Sequence, residues 1–311
     1  MHVLQHRLTR RRLLRQLALS ASALALPSLG LSLTTSPAGT RTIPSSGERI
    51  PRVGLGSWIT FNVGKDPVLL DQCADVIAHF FQAGGRLIDS SPMYGSSQHT
   101  IGYGLKQLGQ PESAFSADKV WTLDVSDGPA QIRESLKQWG EPRFDLLQVH
   151  NLLAWEGHLK TLFAMQEAGD LRYVGITTSH GRRHDEFEKI MRSQPLDFVQ
   201  FTYNIVDREA EERLLPLAAD RGMAVIVNRP YQQGALIRKL QDKPLPPWAS
   251  EIGALSWAQF ILKFILSHPA VTCAIPATTR VDHVLENMAV ATSELPDAAM
   301  RERMAAYVRA L

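Results

Sequence analysis

The chain has 311 residues, 44% hydrophobic and 21% charged, with a formal net charge of +2. That is ordinary for a soluble globular protein and long enough for one (β/α)₈ barrel of ~250 residues plus extensions. Residues 1–40 hold five arginines and no Lys, Asp or Glu, so the remaining body carries −3 and gives no reason to expect nucleic acid or anionic lipid as a partner.

In chain order, the first feature is Thr9-Arg10-Arg11-Arg12-Leu13-Leu14-Arg15, followed by an apolar Ala/Leu/Ser stretch from Leu17 to Leu33. A charged start, a short apolar middle and small residues afterwards describe a secretory signal. Pro27, Gly30 and four serines interrupt the stretch, which falls short of the ~20 apolar residues of a membrane span. The arginine run resembles a twin-arginine signal, which implies use of the twin-arginine export machinery, export already folded and a periplasmic or extracytoplasmic destination. Ser36-Pro37-Ala38 offers small residues for cleavage. The expected division is a signal peptide over 1–38 and one barrel domain over 39–311; a basic amphipathic start or an uncleaved anchor is the alternative.

Arg41–Ile43 and Arg49–Pro51, around Pro44-Ser45-Ser46-Gly47-Glu48, predict a β-hairpin. Eight strands follow: Val53–Gly56, Arg86–Asp89, Phe115–Trp121, Phe144–Val149, Tyr173–Thr177, Asp197–Phe201, Met223–Val227 and Val271–Ile275. Helical periodicity is clearest in Leu70–Phe81, Ala130–Trp139, Leu159–Ala168, Glu209–Ala219, Trp257–Leu266 and Val281–Ala289, with a last helix over Asp297–Ala310. Alternation of this kind predicts a parallel α/β sheet, and eight repeats favour closure into a TIM barrel. Asn228 to Ser256, with four prolines, is a long loop of the sort that usually carries function. Cys73 and Cys273 lie far apart, without disulfide or metal-ligand spacing, and read as buried thiols.

Asp89, Lys119 and His150 recur at the ~30-residue period of a βα unit, each at the carboxyl end of a strand, and Tyr94 follows the first of them. They should meet at the mouth where barrel enzymes do chemistry. Hydride addition to a carbonyl generates an alkoxide that needs a proton. Tyr94 can donate it if a Lys119 ammonium lowers the phenol pKa by ~1–3 units. Asp89 would hold Lys119, and His150 would donate to the carbonyl oxygen. Taken singly, Asp89 and Lys119 also fit a buried ion pair, and His150 a core histidine.

Pro51-Arg-Val-Gly-Leu-Gly-Ser-Trp58, Leu87-Ile-Asp-Ser-Ser-Pro-Met-Tyr-Gly95, Lys119-Val-Trp121 and Asp145-Leu-Leu-Gln-Val-His150 together resemble the aldo-keto reductase superfamily. The resemblance runs in order from about Arg41 to Ala291 and implies a barrel that binds NADPH (NADH possible) extended, without a G-x-G-x-x-G fingerprint. It implies that Thr177, Thr178 and Gln200 hold the nicotinamide carboxamide. Asn228 takes the place of a stacking aromatic, and Arg229 would stack or reach the diphosphate. Thr278, Thr279, Arg280, His283 and Asn287 bind the adenosine end, at a helix start suited to an anion. Ser57, Pro230 and Gly234 complete the cofactor set. Asp118 stands where the family commonly has Thr and should point out of the barrel, since strand neighbours face opposite sides.

For substrate, Trp58, Phe61, Trp121, Leu152 and Trp155 near strand ends are candidates to line an apolar cleft for an aldehyde or ketone. A different class stays open: an exported nicotinamide-binding sensor on the same barrel with little turnover. A hydrolase or isomerase would need a metal cluster or paired carboxylates, for which the sequence offers no pattern.

Overall fold

The computed structural model describes residues 39–311; the expected signal peptide over 1–38 lies outside them. The described chain begins with an antiparallel hairpin, β1 (Thr40–Thr42) on β2 (Arg49–Pro51). Gly47, at φ +75°, makes the turn that lets Ile43 N–H reach Glu48 O at 2.7 Å.

Eight parallel strands follow: β3 (Leu55–Gly56), β4 (Leu87–Asp89), β5 (Phe115–Val120), β6 (Leu146–Val149), β7 (Tyr173–Thr177), β8 (Phe198–Thr202), β9 (Ala224–Asn228) and β10 (Cys273–Ala274). Each pairs with its neighbour in sequence. Bridges Val53↔Ala274 and Gly56↔Ala277 join the last strand to the first, closing the (β/α)₈ barrel the alternation predicted. Every residue of β4 to β8 is buried, as a parallel sheet covered on its outer face requires.

The helices are α1 (Pro67–Gln82), α2 (Ser97–Gln107), α3 (Gly128–Trp139), α4 (Trp155–Ala168), α5 (His184–Ser193), α6 (Leu214–Asp220), α7 (Ala235–Leu240), α8 (Trp257–Leu266), α9 (Val281–Thr292) and α10 (Ala298–Arg309). Helix α1 shows why they form. The Asp66 carboxylate accepts the N–H groups of Val68 and Leu69, Pro67 fills the first position, and Leu70, Cys73, Val76, Ile77 and Phe80 make one buried stripe.

Four helices depart from the periodicity, one of them the six-residue α7, which lies inside the Asn228–Ser256 stretch expected to be a loop. Helix α2 escaped it because glycines stand on its packed face. A Cβ at Gly102 would lie 1.9 Å from Gln138 O, and one at Gly104 2.6 Å from Ile77 Cδ1, so close approach to α1 and α3 replaces an apolar stripe. Helix α5 is short and buries only Phe187, Ile190 and Met191. The continuous helix expected over Glu209–Ala219 is instead a 3-10 turn, Glu209–Glu211, and then α6. Pro216 has no N–H to donate and fits only a first turn, so α6 must start just before it.

The hairpin closes the floor of the barrel. Ile43 and Ile50 are fully buried against Leu87, Phe115, Leu146, Tyr173, Phe198 and Ala224. Glu48 fastens it there, accepting from Arg86 at 3.2 Å, from Tyr173 at 2.8 Å and from Arg172, which also pairs with Asp145 at 2.5 Å. At the opposite end, the loops after β3, β6, β7 and β9 hold nine non-glycine residues at positive φ, among them Ile59, Asn151, His180 and Arg229. Among the described residues no helix is long and apolar enough to cross a membrane.

Candidate active site

Asp89 ends β4, Lys119 lies in β5 next to its last residue, and His150 follows β6 directly, so the three converge at the mouth as their spacing predicts. Lys119 Nζ donates to Asp89 Oδ2 and to Ser90 O, both at 2.6 Å, and is wholly buried. The other oxygen of Asp89 accepts from Gln200 Nε2 at 2.8 Å and Gln148 Nε2 at 3.3 Å. Ser57 Oγ donates to Asp89 O at 2.8 Å. A buried charge pair persists only when its remaining hydrogen-bonding capacity is met in this way.

Tyr94 lies over this pair, with Lys119 Nζ 5.3 Å from its ring centroid. The His150 ring meets it edge-on at 5.6 Å, and Trp58 packs on it at 6.3 Å. The expected lowering of the phenol pKa is corrected here. Burial first, then the charges of Asp89 and Asp118, hold Tyr94 well above its ordinary value. Burial and then Lys119 push His150 well below the usual imidazole value, so it is neutral. The arrangement offers a protonated phenol and a neutral imidazole as donors.

Asp118 points away from the barrel interior, as strand alternation predicts, yet it is not exposed. It accepts from Gln98 Nε2 on α2 and Trp139 Nε1 on α3, both at 2.7 Å, and from the Lys119 N–H. Burial raises its carboxyl to about 7, against the opposing pull of Lys119 and these donors.

The residues open onto a cleft of about 790 Å³, within the ~300–1,000 Å³ range of ligand sites. Of the predicted cofactor residues, Ser57, Thr177, Gln200, Asn228, Arg229, Pro230, Gly234, Thr278, His283 and Asn287 line it. Three do not. Thr178 faces the other side of its strand and donates to Arg182 O at 2.6 Å; Ser179, two residues on from Thr177, takes its place at the cleft wall. Thr279 does not line the cleft, and Arg280 is exposed and held by Asp282 at 2.6 Å. Gln200 and Asn228 are already engaged: Gln200 on Asp89, Asn228 as donor to Thr178 O at 2.9 Å and acceptor from Thr202 at 2.7 Å.

Arg229 is different. Its Nε and Nη1 are buried with no partner among the described residues, at the wall of the cleft. A guanidinium with two open donors at the wall of the cleft fits the diphosphate of a dinucleotide. Tyr231, absent from the sequence reading, also lines the cleft and donates to Asn287 Oδ1 at 2.8 Å.

On the substrate side, Trp58 lines the cleft, joined by Ile59, Thr60 and Met93; Trp121, 40% exposed, is not among its lining residues, although its ring lies 6.4 Å from that of His150. Phe61 is corrected: the turn that sends its N–H to Ser57 O buries it completely in the core. Leu152 is likewise core, and Trp155 opens α4 and lines a separate groove between that helix and Gln194 at the end of α5. Among the described residues no three His, Cys, Asp or Glu gather as a metal would need, and both cysteines are buried and free.

A model of the Aldo/keto reductase family matches residues 52–307. Aldo-keto reductase YhdN of Bacillus subtilis (strain 168) is 26% identical over 221 residues, 65% of this chain and 65% of that one. The NADH-specific methylglyoxal reductase of Escherichia coli (strain K12) is 28% identical over 236 residues, 64% of this chain and 68% of its own length. The chain thus spans about two thirds of these relatives. Among solved structures, the aldo/keto reductase of Klebsiella pneumoniae in complex with NADP and acetate superposes with a TM-score of 0.74 at 20% identity, covering 87% and 95% of the two chains. The glycerol dehydrogenase of Gluconobacter oxydans gives 0.72 at 19% identity, covering 88% and 95%. The structural likenesses speak for the barrel, and the family match over most of the sequence carries the assignment: this chain belongs to the aldo/keto reductase family.

Proposed function

We propose that the protein is a nicotinamide-dependent oxidoreductase that reduces an aldehyde or ketone to an alcohol. The observation that carries this reading is Tyr94 and His150 facing one cleft above the buried Lys119–Asp89 pair. The cofactor, when bound, supplies the hydride. Arg229 and Gly234 would hold its diphosphate, and Thr278, His283 and Asn287 its adenosine end. His150 donates to the carbonyl oxygen and orients it. Tyr94 gives up its proton as charge develops on that oxygen, and the nearby ammonium steadies the phenolate left behind. Trp58, Ile59 and Met93 would seat the apolar part of the substrate.

NADPH is the proposed cofactor, with NADH also accepted. The relatives point both ways, one NADH-specific and one solved with NADP, and Arg280 is engaged by Asp282 and is not among the residues lining the cleft. Export through the twin-arginine route, with cofactor retained in the folded protein, completes the proposal and rests on the leader sequence. Its check is whether protein from the cell envelope carries bound nucleotide.

A nicotinamide-binding sensor is the second reading, favoured by the prior engagement of Gln200 and Asn228. Fluorescence titration with NADPH and NADH, followed by loss of nicotinamide absorbance with aromatic aldehydes, separates the two. Turnover that falls ~10²- to 10⁴-fold in Tyr94→Phe while binding persists is expected of the reductase. Binding without turnover in the unmutated protein would give the sensor.

A further inference from the structure

We infer that Ser91 is a positioning residue that fixes His150 as the Nε2–H tautomer, turning that nitrogen into a hydrogen-bond donor toward the cleft. Ser91 lies between Asp89 and Tyr94 and is fully buried. Its Oγ sits 2.7 Å from His150 Nδ1 and accepts the Met93 N–H at 3.2 Å.

A hydroxyl has one hydrogen and two lone pairs. Met93 occupies one lone pair. Among the described residues His150 Nδ1 is the only acceptor in reach of the hydrogen. Were Nδ1 to carry the imidazole proton, the Ser91 hydrogen would be buried with nothing to accept it, a state native proteins avoid. The hydroxyl therefore donates to Nδ1, and the ring proton resides on Nε2.

The far nitrogen is free to act. Nε2 has no protein partner among the described residues, and His150, only 4% exposed, reaches open space through the cleft it lines. The edge of Tyr94 at 5.6 Å and Trp121 at 6.4 Å pack on the ring. Because burial and the Lys119 ammonium keep the imidazole neutral, there is a single ring proton to place. The opposite tautomer would turn a lone pair toward a carbonyl oxygen, repelling the atom it should bind.

This inference deepens the reductase reading and rests on it for its consequence. It is tested by nitrogen NMR of the labelled full chain, which reports which imidazole nitrogen bears hydrogen, beside steady-state kinetics of carbonyl reduction. The unmutated protein should show His150 as Nε2–H. Ser91→Ala should yield a mixture of tautomers, with kcat/KM down ~10- to 100-fold, the usual effect of removing an orienting partner. Ser91→Thr, which keeps the hydroxyl, should restore both. An Nδ1–H signal in the unmutated protein overturns the inference, as does Ser91→Ala retaining pure Nε2–H. A protein that reduces no carbonyl yet loses the Nε2–H signal in Ser91→Ala removes the reductase reading and keeps the tautomer assignment.

Discussion

Glu48 at the floor of the barrel and Arg229 at its mouth are both partly buried charges, but their surroundings differ. Glu48 receives Arg86, Arg172 and Tyr173, and Arg172 in turn holds Asp145. Arg229 leaves two buried nitrogens without any acceptor among the described residues. The Tyr94 hydroxyl and His150 Nε2, also at the mouth, have no hydrogen-bond partner among the described residues either. Charges at the floor answer one another and hold the hairpin on the barrel. At the mouth, beside the paired Lys119 and Asp89, polar groups are left open in a way that suits a ligand. Polar groups left unsatisfied in a folded chain call for such an explanation.

The comparison can be broken most severely at Lys119. Lys119→Met leaves the Asp89 carboxylate buried and unpaired, and should cost about 3–5 kcal/mol in urea unfolding. A smaller loss would mean that Gln148 and Gln200 alone satisfy Asp89. Arg229→Met should have the opposite signature. Dinucleotide affinity should fall about 10- to 100-fold, the worth of one hydrogen bond to a charged group, while the urea midpoint stays level or rises. A marked loss of stability without loss of affinity would make Arg229 a structural residue after all.

Asp118 belongs to neither end and sharpens the contrast through pH. Its carboxyl, raised to about 7 by burial against an ordinary 3.8, binds a proton more readily in the folded chain than in the unfolded one. Its contribution to stability is therefore present at and below about pH 4 and is lost as pH rises through about 7. Urea midpoints across that window should decline in the unmutated protein, and Asp118→Asn should flatten the decline. An unchanged slope would assign it to other groups. Glu48→Gln should be mildest, about 0.5–1 kcal/mol, because its ion pairs are partly solvated. Carbonyl reduction should be unaltered; a kinetic change would show that floor and mouth are coupled.

The convergence of Asp89, Lys119 and His150 was legible in the sequence because strand period and strand end determine where they go. Asp89, Lys119 and His150 needed only the ~30-residue repeat. That Thr178 would turn away from the cleft was legible, since it continues directly from Thr177 at the end of β7 and neighbours along an extended chain face opposite sides. The substrate wall was legible only at Trp58. Phe61 and Trp155 were chosen for being aromatic near strand ends, but loop dihedrals, not residue type, decide which way such side chains go. The clamp on Asp118 was hidden for a different reason: it joins β5 to single residues on α2 and α3, and no local pattern announces a contact across three elements. Ser91 stood inside a quoted motif, yet its partner lies 59 positions away.

The left-handed residues at the mouth have a consequence of their own. Ile59, β-branched and 62% exposed, holds φ +66°, and Asn151, Ala154, His180 and Arg229 hold similar values. Each non-glycine residue kept there sacrifices on the order of 1–2 kcal/mol that an ordinary backbone would retain. The rim is thus a set of bent springs, and the core beneath it must be strong enough to keep them bent. Thermal loosening should begin at the rim while the floor is still intact, and the cleft would lose its shape before the barrel loses its strands.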